Sequence, residues 1–222
     1  MEEKKLDLGR LLAMENPEAL LESAKPYQVL MMHYQCAMRE VQTKFEVLNA
    51  EFSVLHDYNP VESIKSRLKR PMSVLEKLRR KGLPYSLDAV YENLRDVAGV
   101  RVICSFVQDI YALSDMLLRQ DDITLIQRKD YIAHPKENGY RSLHLIVEIP
   151  IFLTNTTRKM RVEVQLRTIA MDFWASLEHK TRYKKQIHSQ AWIDQELSAC
   201  AEQIAALDLR MQQLHQYIKQ ED

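Results

Sequence analysis

The chain has 222 residues, with 31 lysines and arginines balanced by 31 aspartates and glutamates, so its formal net charge is zero. That length buries one sizeable core with room for helical additions, and the charge balance leaves no whole-molecule field to draw in nucleic acid, so any basic site has to be local. Three cysteines, Cys36, Cys104 and Cys200, are odd in number and lack a CxxC spacing, which points to free cytosolic thiols and away from a disulfide framework or a zinc ribbon.

The first ten residues, MEEKKLDLGR, lack the basic-then-apolar order of a secretory signal. No apolar run approaches the roughly 18 residues of a membrane span, and a cytoplasmic location is expected. From Met31 to Leu55 apolar residues recur at spacings of three and four (Met31, Tyr34, Met38, Val41, Phe45, Leu48, Phe52, Leu55), which predicts a long amphipathic helix. The turn-like HDYNP closes it. Strand-like segments follow at 60–68, 99–106, 123–132, 142–150 and 160–166, with helical patterns at 71–82, 86–96, 107–120 and 168–185 between them. The stretch IFLTNTTRK, 151–159, reads as a hairpin loop. The rhythm of three and four returns in Ile193, Leu197, Cys200, Ile204, Leu207, Met211, Leu214 and Ile218, a second long helix with a seam-like stripe. The expected organisation is a helical region over 1–59, a mixed α/β domain over 60–187, and a C-terminal helix over 188–222 that packs or oligomerises. Spacing leaves open whether the two stripes pack within one chain or between subunits.

The chain has only four glycines and neither GxxxxGK[ST] nor GxGxxG, so any nucleotide phosphates must be held by side chains. Residues 65–81 offer them: eight basic residues stand there against one acid, Glu76. A solvated helix face would explain the cluster, while a phosphate-rich ligand is the sharper reading, since guanidinium and ammonium groups neutralise several phosphates at once. Two acids differ from the rest. Asp96 directly precedes the apolar VAGVRVIC, and Glu163 sits inside MRVEVQL, where an unpaired carboxylate costs on the order of several kcal/mol. Together they could hold Mg²⁺, which favours one or two carboxylates plus substrate phosphates; alternatively Asp96 caps a turn and Glu163 pairs with Arg161 or Arg167. The stretch KENGYRSLHLIVEIP, 136–150, loads Lys136, Tyr140, Arg141 and His144 onto the mouth of a buried strand, just after an Asn138-Gly139 turn. Alone, such a Tyr or His is ordinarily an edge aromatic or a hydrogen-bonded ring.

The ordered set RDVAGVRVIC, KDYI, PKENGYRSLHL and VEVQLRTIAMDFWASLEHK resembles the synthetase domain of the RelA/SpoT family from about Ser66 to Lys184, and specifically the stand-alone small alarmone synthetases. Long members read GYQSLH where this chain has GYRSLH, and the last motif is closer to the RelP than to the RelQ branch. The resemblance implies an α/β (α+β) fold, a nucleotidyltransferase-like mixed β-sheet flanked by helices. It also implies an enzyme, a GTP diphosphokinase that moves the β,γ-pyrophosphate of ATP onto the ribose 3′-hydroxyl of GDP or GTP, giving AMP and (p)ppGpp for the stringent response. Carried over motif by motif, Arg67 and Arg101 would stack on adenine, and Lys69, Ser73, Lys77 and Arg80 would contact the ATP phosphates. Asp96 would bind magnesium, Glu163 would be second ligand or general base, and His144 would line the transfer site. Lys129 and Lys136 would hold the phosphates of the guanine nucleotide, Tyr140 would stack on guanine, and Asp172 would support that acceptor; Gln165 and Arg167, flanking Glu163, either support it too or pair structurally. Asp172 departs from the Asn of some small synthetases, but it can accept from the guanine N1–H and amino group. The implied cofactor is Mg²⁺ and the implied assembly a homotetramer, with no membrane and no nucleic acid required. His56-Asp57 spells the HD pair of the family's hydrolases, yet only about 55 residues precede it, too few to carry the other ligands, so synthesis without hydrolysis is expected. Two other readings compete: a catalytically silent nucleotide- or RNA-binding module of the same fold, and a helical scaffold whose termini matter more than its middle.

Overall fold

The computed structural model describes residues 17–182 and 190–221. Helix α1 (Pro17–Leu55) begins well before Met31 and runs through Pro26, a stretch in which the apolar rhythm fades. It is followed by β1 (Val61–Leu68), α2 (Pro71–Arg80), α3 (Leu87–Asn93), β2 (Ala98–Cys104), α4 (Val107–Leu118), β3 (Thr124–Asp130), β4 (Leu143–Phe152), β5 (Thr157–Thr168), α5 (Ile169–Arg182) and α6 (Gln190–Glu221). All five expected strands form, in one sheet of order β1-β2-β5-β4-β3. The pair β2–β5 is parallel and the others antiparallel. This is the expected mixed sheet flanked by helices. The hairpin loop is shorter than expected: Ile151 and Phe152 still pair with Arg158 and Thr157, and the Leu153 N–H donates to the Thr156 carbonyl at 2.8 Å to close the turn.

Alternation gives the sheet one apolar face, on which Val100, Val102, Leu145, Val147, Val162 and Val164 are fully buried. Helices α1 and α4 cover it, through Tyr34, Val41 and Phe45 and through Ile110, Leu113 and Leu117. Each such side chain contributes about 1.5–3 kcal/mol on leaving water. The stripe of α1 therefore packs within the chain. The stripe of α6 divides. Against α4 and α5 the helix turns Ala201, Ile204, Ala205 and Asp208, while Leu207, Met211, Leu214 and Ile218 face outward, 50–59% exposed. The part of the helix expected over 168–185 that lies beyond Arg182 is outside the described residues. His56 and Asp57 follow the end of α1, both exposed, with the His56 ring 5.0 Å from that of Phe52.

Candidate active site

The other face of the sheet is polar. Register sets Lys65 beside Arg101, Arg101 beside Gln165, Gln165 beside His144 and His144 beside Lys129, a row that crosses all five strands. Residues two apart on a strand share a face, so the neighbouring row brings Arg67, Gly99 and Glu163 together. Gly99 adds no side chain, and a cavity of about 400 Å³ opens above it, lined also by Lys65, Ser66, Lys69, Asp96 and Arg101.

Asp96 stands in the connection from α3 to β2. The Lys69 N–H donates to the Val97 carbonyl at 2.8 Å, which draws the end of β1 alongside it. Helix α2 starts on Pro71 and buries Val74 and Leu78. It ends where the Gly82 N–H donates to Arg79 and the Leu83 N–H to Leu78, with Gly82 at φ +65°. This paired closure needs a left-handed residue at that point, and it fixes the last turn, which carries Lys77. Both Lys69 and Lys77 donate to Asp96 Oδ2. Burial pushes the Asp96 carboxyl up, but the two lysines outweigh it and hold it below the ordinary range. Among the described residues, its Oδ1 is buried without a hydrogen-bond partner. Asp96 and Glu163 line one cavity rimmed by cations, a donor set that fits a magnesium ion completed by phosphate oxygens. Arg67 is exposed on β1, whereas the Arg101 guanidinium is held by Asp172 Oδ1 at 3.2 Å and Gln165 Oε1 at 3.4 Å. Ser73 and Arg80 lie on α2, outside the cavity lining.

From Glu163 a hydrogen-bonded chain runs to the strand entrance. Arg167, a donor only, gives an N–H to the Tyr140 hydroxyl at 2.6 Å. The Tyr140 O–H is free to donate to His144 Nε2 at 2.8 Å, and in that tautomer the ring proton on Nδ1 points to Glu163 Oε1 at 3.3 Å. Gln165 Nε2 donates to Glu163 Oε2 at 2.9 Å, and Arg167 and Arg101 converge on Asp172 Oδ1. The ring of contacts is closed. For Glu163 burial again pushes upward, and the donations from His144 and Gln165 outweigh it, leaving the carboxyl below its ordinary value. Neither Arg161 nor Arg167 is its partner: Arg161 turns to Glu148 and the Glu92 carbonyl. Lys136 Nζ lies 4.7 Å from the Tyr140 ring centre and 4.6 Å from that of Tyr131, and the Arg167 guanidinium 5.0 Å from the former. Tyr131 was not foreseen; its only signal was the KDYI motif. Lys129 joins the site through its register with His144, on the exposed strand β3.

Residues 66–188 match the model of a region found in RelA/SpoT proteins. The chain is 44% identical over 181 residues to the GTP pyrophosphokinase YwaC of Bacillus subtilis, covering 82% of this chain and 86% of that protein. It is 34% identical over 190 residues to the GTP pyrophosphokinase YjbM of the same organism, covering 86% and 89%. The crystal structure of the small alarmone synthetase 1 from Bacillus subtilis bound to its product pppGpp superposes with a TM-score of 0.80 at 34% identity, covering 87% of this chain and 98% of that one.

Proposed function

The chain belongs to the RelA/SpoT family, and on that premise we propose that it is a GTP pyrophosphokinase, moving the β,γ-pyrophosphate of ATP onto the ribose 3′-hydroxyl of GDP or GTP. One observation carries the reading. Glu163 belongs to both halves of the site, lining the cavity with Asp96, Arg67, Lys69 and Arg101 and beginning the chain through His144 to Tyr140 and Arg167.

ATP occupies the cavity, its adenine between the planar guanidinium groups of Arg67 and Arg101. Its phosphates meet Lys69 and Lys77, with Ser73 and Arg80 further along α2. Tyr140 stacks on guanine, Asp172 accepts from its edge, and Lys136 and Lys129 hold the acceptor phosphates, with Gln165 and Arg167 fixing the side chains around them. The acceptor O3′ then forms a bond to the β-phosphorus as the bond from that phosphorus to the α,β-bridging oxygen breaks, and AMP leaves. Glu163, kept ionised by its low pKa, takes the hydroxyl proton, while His144 Nδ1–H holds the carboxylate oriented. Such a transfer asks the protein chiefly for positioning and charge neutralisation. Mg²⁺, held by Asp96 and Glu163, would supply charge neutralisation across the phosphates when bound.

The same reading includes a cytoplasmic location and a homotetramer, the latter supported by the exposed stripe Leu207, Met211, Leu214 and Ile218. It includes synthesis without hydrolysis, supported by the exposed setting of His56 and Asp57 at the end of α1. Among the described residues, no helix is long and apolar enough to cross a membrane. The test is Glu163→Gln, which should lower turnover by roughly 10²–10⁴-fold, the usual contribution of a general base, while ATP binding measured by calorimetry stays near wild type. Wild-type turnover in that variant overturns the role of Glu163.

A further inference from the structure

The inner face of α6 meets the acceptor side of the site at two points. Asp208, 7% exposed, accepts a hydrogen bond from Thr168 Oγ1 at 2.6 Å. The same oxygen accepts the Met171 N–H at 3.1 Å, and so closes the first turn of α5, from which Asp172 holds Arg101 and Arg167. Further back along α6, Ala201 is 4% exposed and lies against Gly139. A Cβ built on Gly139 would come within 2.4 Å of Ala201 Cβ, and Gly139 has φ +84°. The turn is closed by the Gly139 N–H donating to the Lys136 carbonyl at 2.8 Å, so the segment carrying Lys136 and Tyr140 rests on α6 with no room for a larger residue. Arg141, the position at which the chain departs from GYQSLH, lines a cavity of about 200 Å³ together with Gly139, Ala201 and Asp208. Burial pushes the Asp208 carboxyl up, with the Thr168 hydroxyl and the Arg141 charge acting against it.

We propose that α6 is a positioning element for the acceptor nucleotide: Asp208 through Thr168 sets the turn of α5 that carries Asp172, and Ala201 through Gly139 sets the turn that carries Lys136 and Tyr140. This rests on the acceptor site described under the proposed function. It adds that the one helix has two duties, its outward stripe serving assembly and its inward stripe serving substrate. Removing residues 188–222 therefore takes acceptor binding along with assembly.

The test uses the full chain with Ala201→Val, Asp208→Ala and Asp208→Asn. Ala201→Val raises the KM for GDP or GTP about tenfold and leaves the KM for ATP within about twofold, the split expected when one substrate's position is lost. Asp208→Ala raises the acceptor KM likewise, and Asp208→Asn, which keeps an oxygen for Thr168, restores it. Amide hydrogen exchange over 136–141 quickens in Ala201→Val, which needs no substrate to be observed. An unchanged acceptor KM, equal rises in both KM values for Ala201→Val, equal losses for the two Asp208 variants, or wild-type exchange over 136–141 overturns the proposal. If the wild-type enzyme makes no guanosine polyphosphate, the reading of the substrate fails instead, and the exchange measurement still decides the coupling.

Discussion

Replacing Tyr140 with Phe keeps the ring beside Lys136 and Arg167 and removes one oxygen. That oxygen accepts from Arg167 at 2.6 Å and donates to His144 Nε2 at 2.8 Å. Arg167 retains Asp172 at 3.2 Å and Gln165 at 3.3 Å, so its loss is small. His144 loses the donor that fixes its tautomer, and the proton aimed at Glu163 is no longer held on Nδ1. A hydrogen bond of this kind contributes about 0.5–1.5 kcal/mol, and more where a charged group takes part, so the variant should be about 1–2 kcal/mol less stable. For a chain of this size that corresponds to a melting temperature lower by roughly 2–8 °C. In kinetics, one misaligned hydrogen bond at Glu163 corresponds to a kcat about tenfold lower, whereas the KM for GDP or GTP should stay within about twofold because the stacking ring remains. Steady-state rates at saturating ATP, with a thermal melt beside them, decide it. A raised acceptor KM with unchanged kcat would refute the tautomer chain from Tyr140 to Glu163.

The acid limb gives a second outcome. Asp96 and Glu163 are both held below their ordinary values of 3.8 and 4.5, so the stability they contribute as ions is whole above those values and is lost as pH falls through the lower folded ones. The difference in melting temperature between wild type and Glu163→Gln should therefore shrink below about pH 4.5; a constant difference down to lower pH contradicts the depressed Glu163. Assembly gives another: the double substitution of Met211 and Leu214 by Glu sets charges into the exposed stripe of α6 and should convert the proposed tetramer to a smaller species by light scattering, with the fold retained by circular dichroism. An unchanged mass would remove that stripe from the interface.

Much of the site was legible because it violates the pattern around it. Glu163 stands out inside an apolar strand, and the cations of 65–81 outnumber their acids without a glycine loop to assist them. Strand alternation also told which residues share a face. What alternation does not carry is the order in which strands pair, and the polar row from Lys65 to Lys129 exists because β5 lies between β2 and β4. Long-range pairing of that kind leaves no mark within a single segment. Asp208 carries no signal of its own in the sequence, since its partner Thr168 is 40 residues away. The fit of Ala201 to Gly139 was silent because small residues carry no pattern. Periodicity found the apolar positions of α6, yet the neighbours α4 and α5 take an adjoining stripe, so five of the eight seam positions, Cys200, Leu207, Met211, Leu214 and Ile218, stay exposed. Glu163 has His144 and Gln165 as partners in place of either nearby arginine, because His144 stands opposite Gln165 on β4 and so reaches Glu163 diagonally across the same face.

The most direct measurement is to incubate the purified protein with ATP, Mg²⁺ and either GDP or GTP and to resolve the nucleotides by anion-exchange chromatography. AMP and a guanosine tetra- or pentaphosphate are expected in equal amounts, formed roughly 10²–10⁴-fold more slowly when Glu163 is Gln. Binding of both nucleotides with ATP left intact would contradict it, and would make the chain a nucleotide-binding module on the same fold.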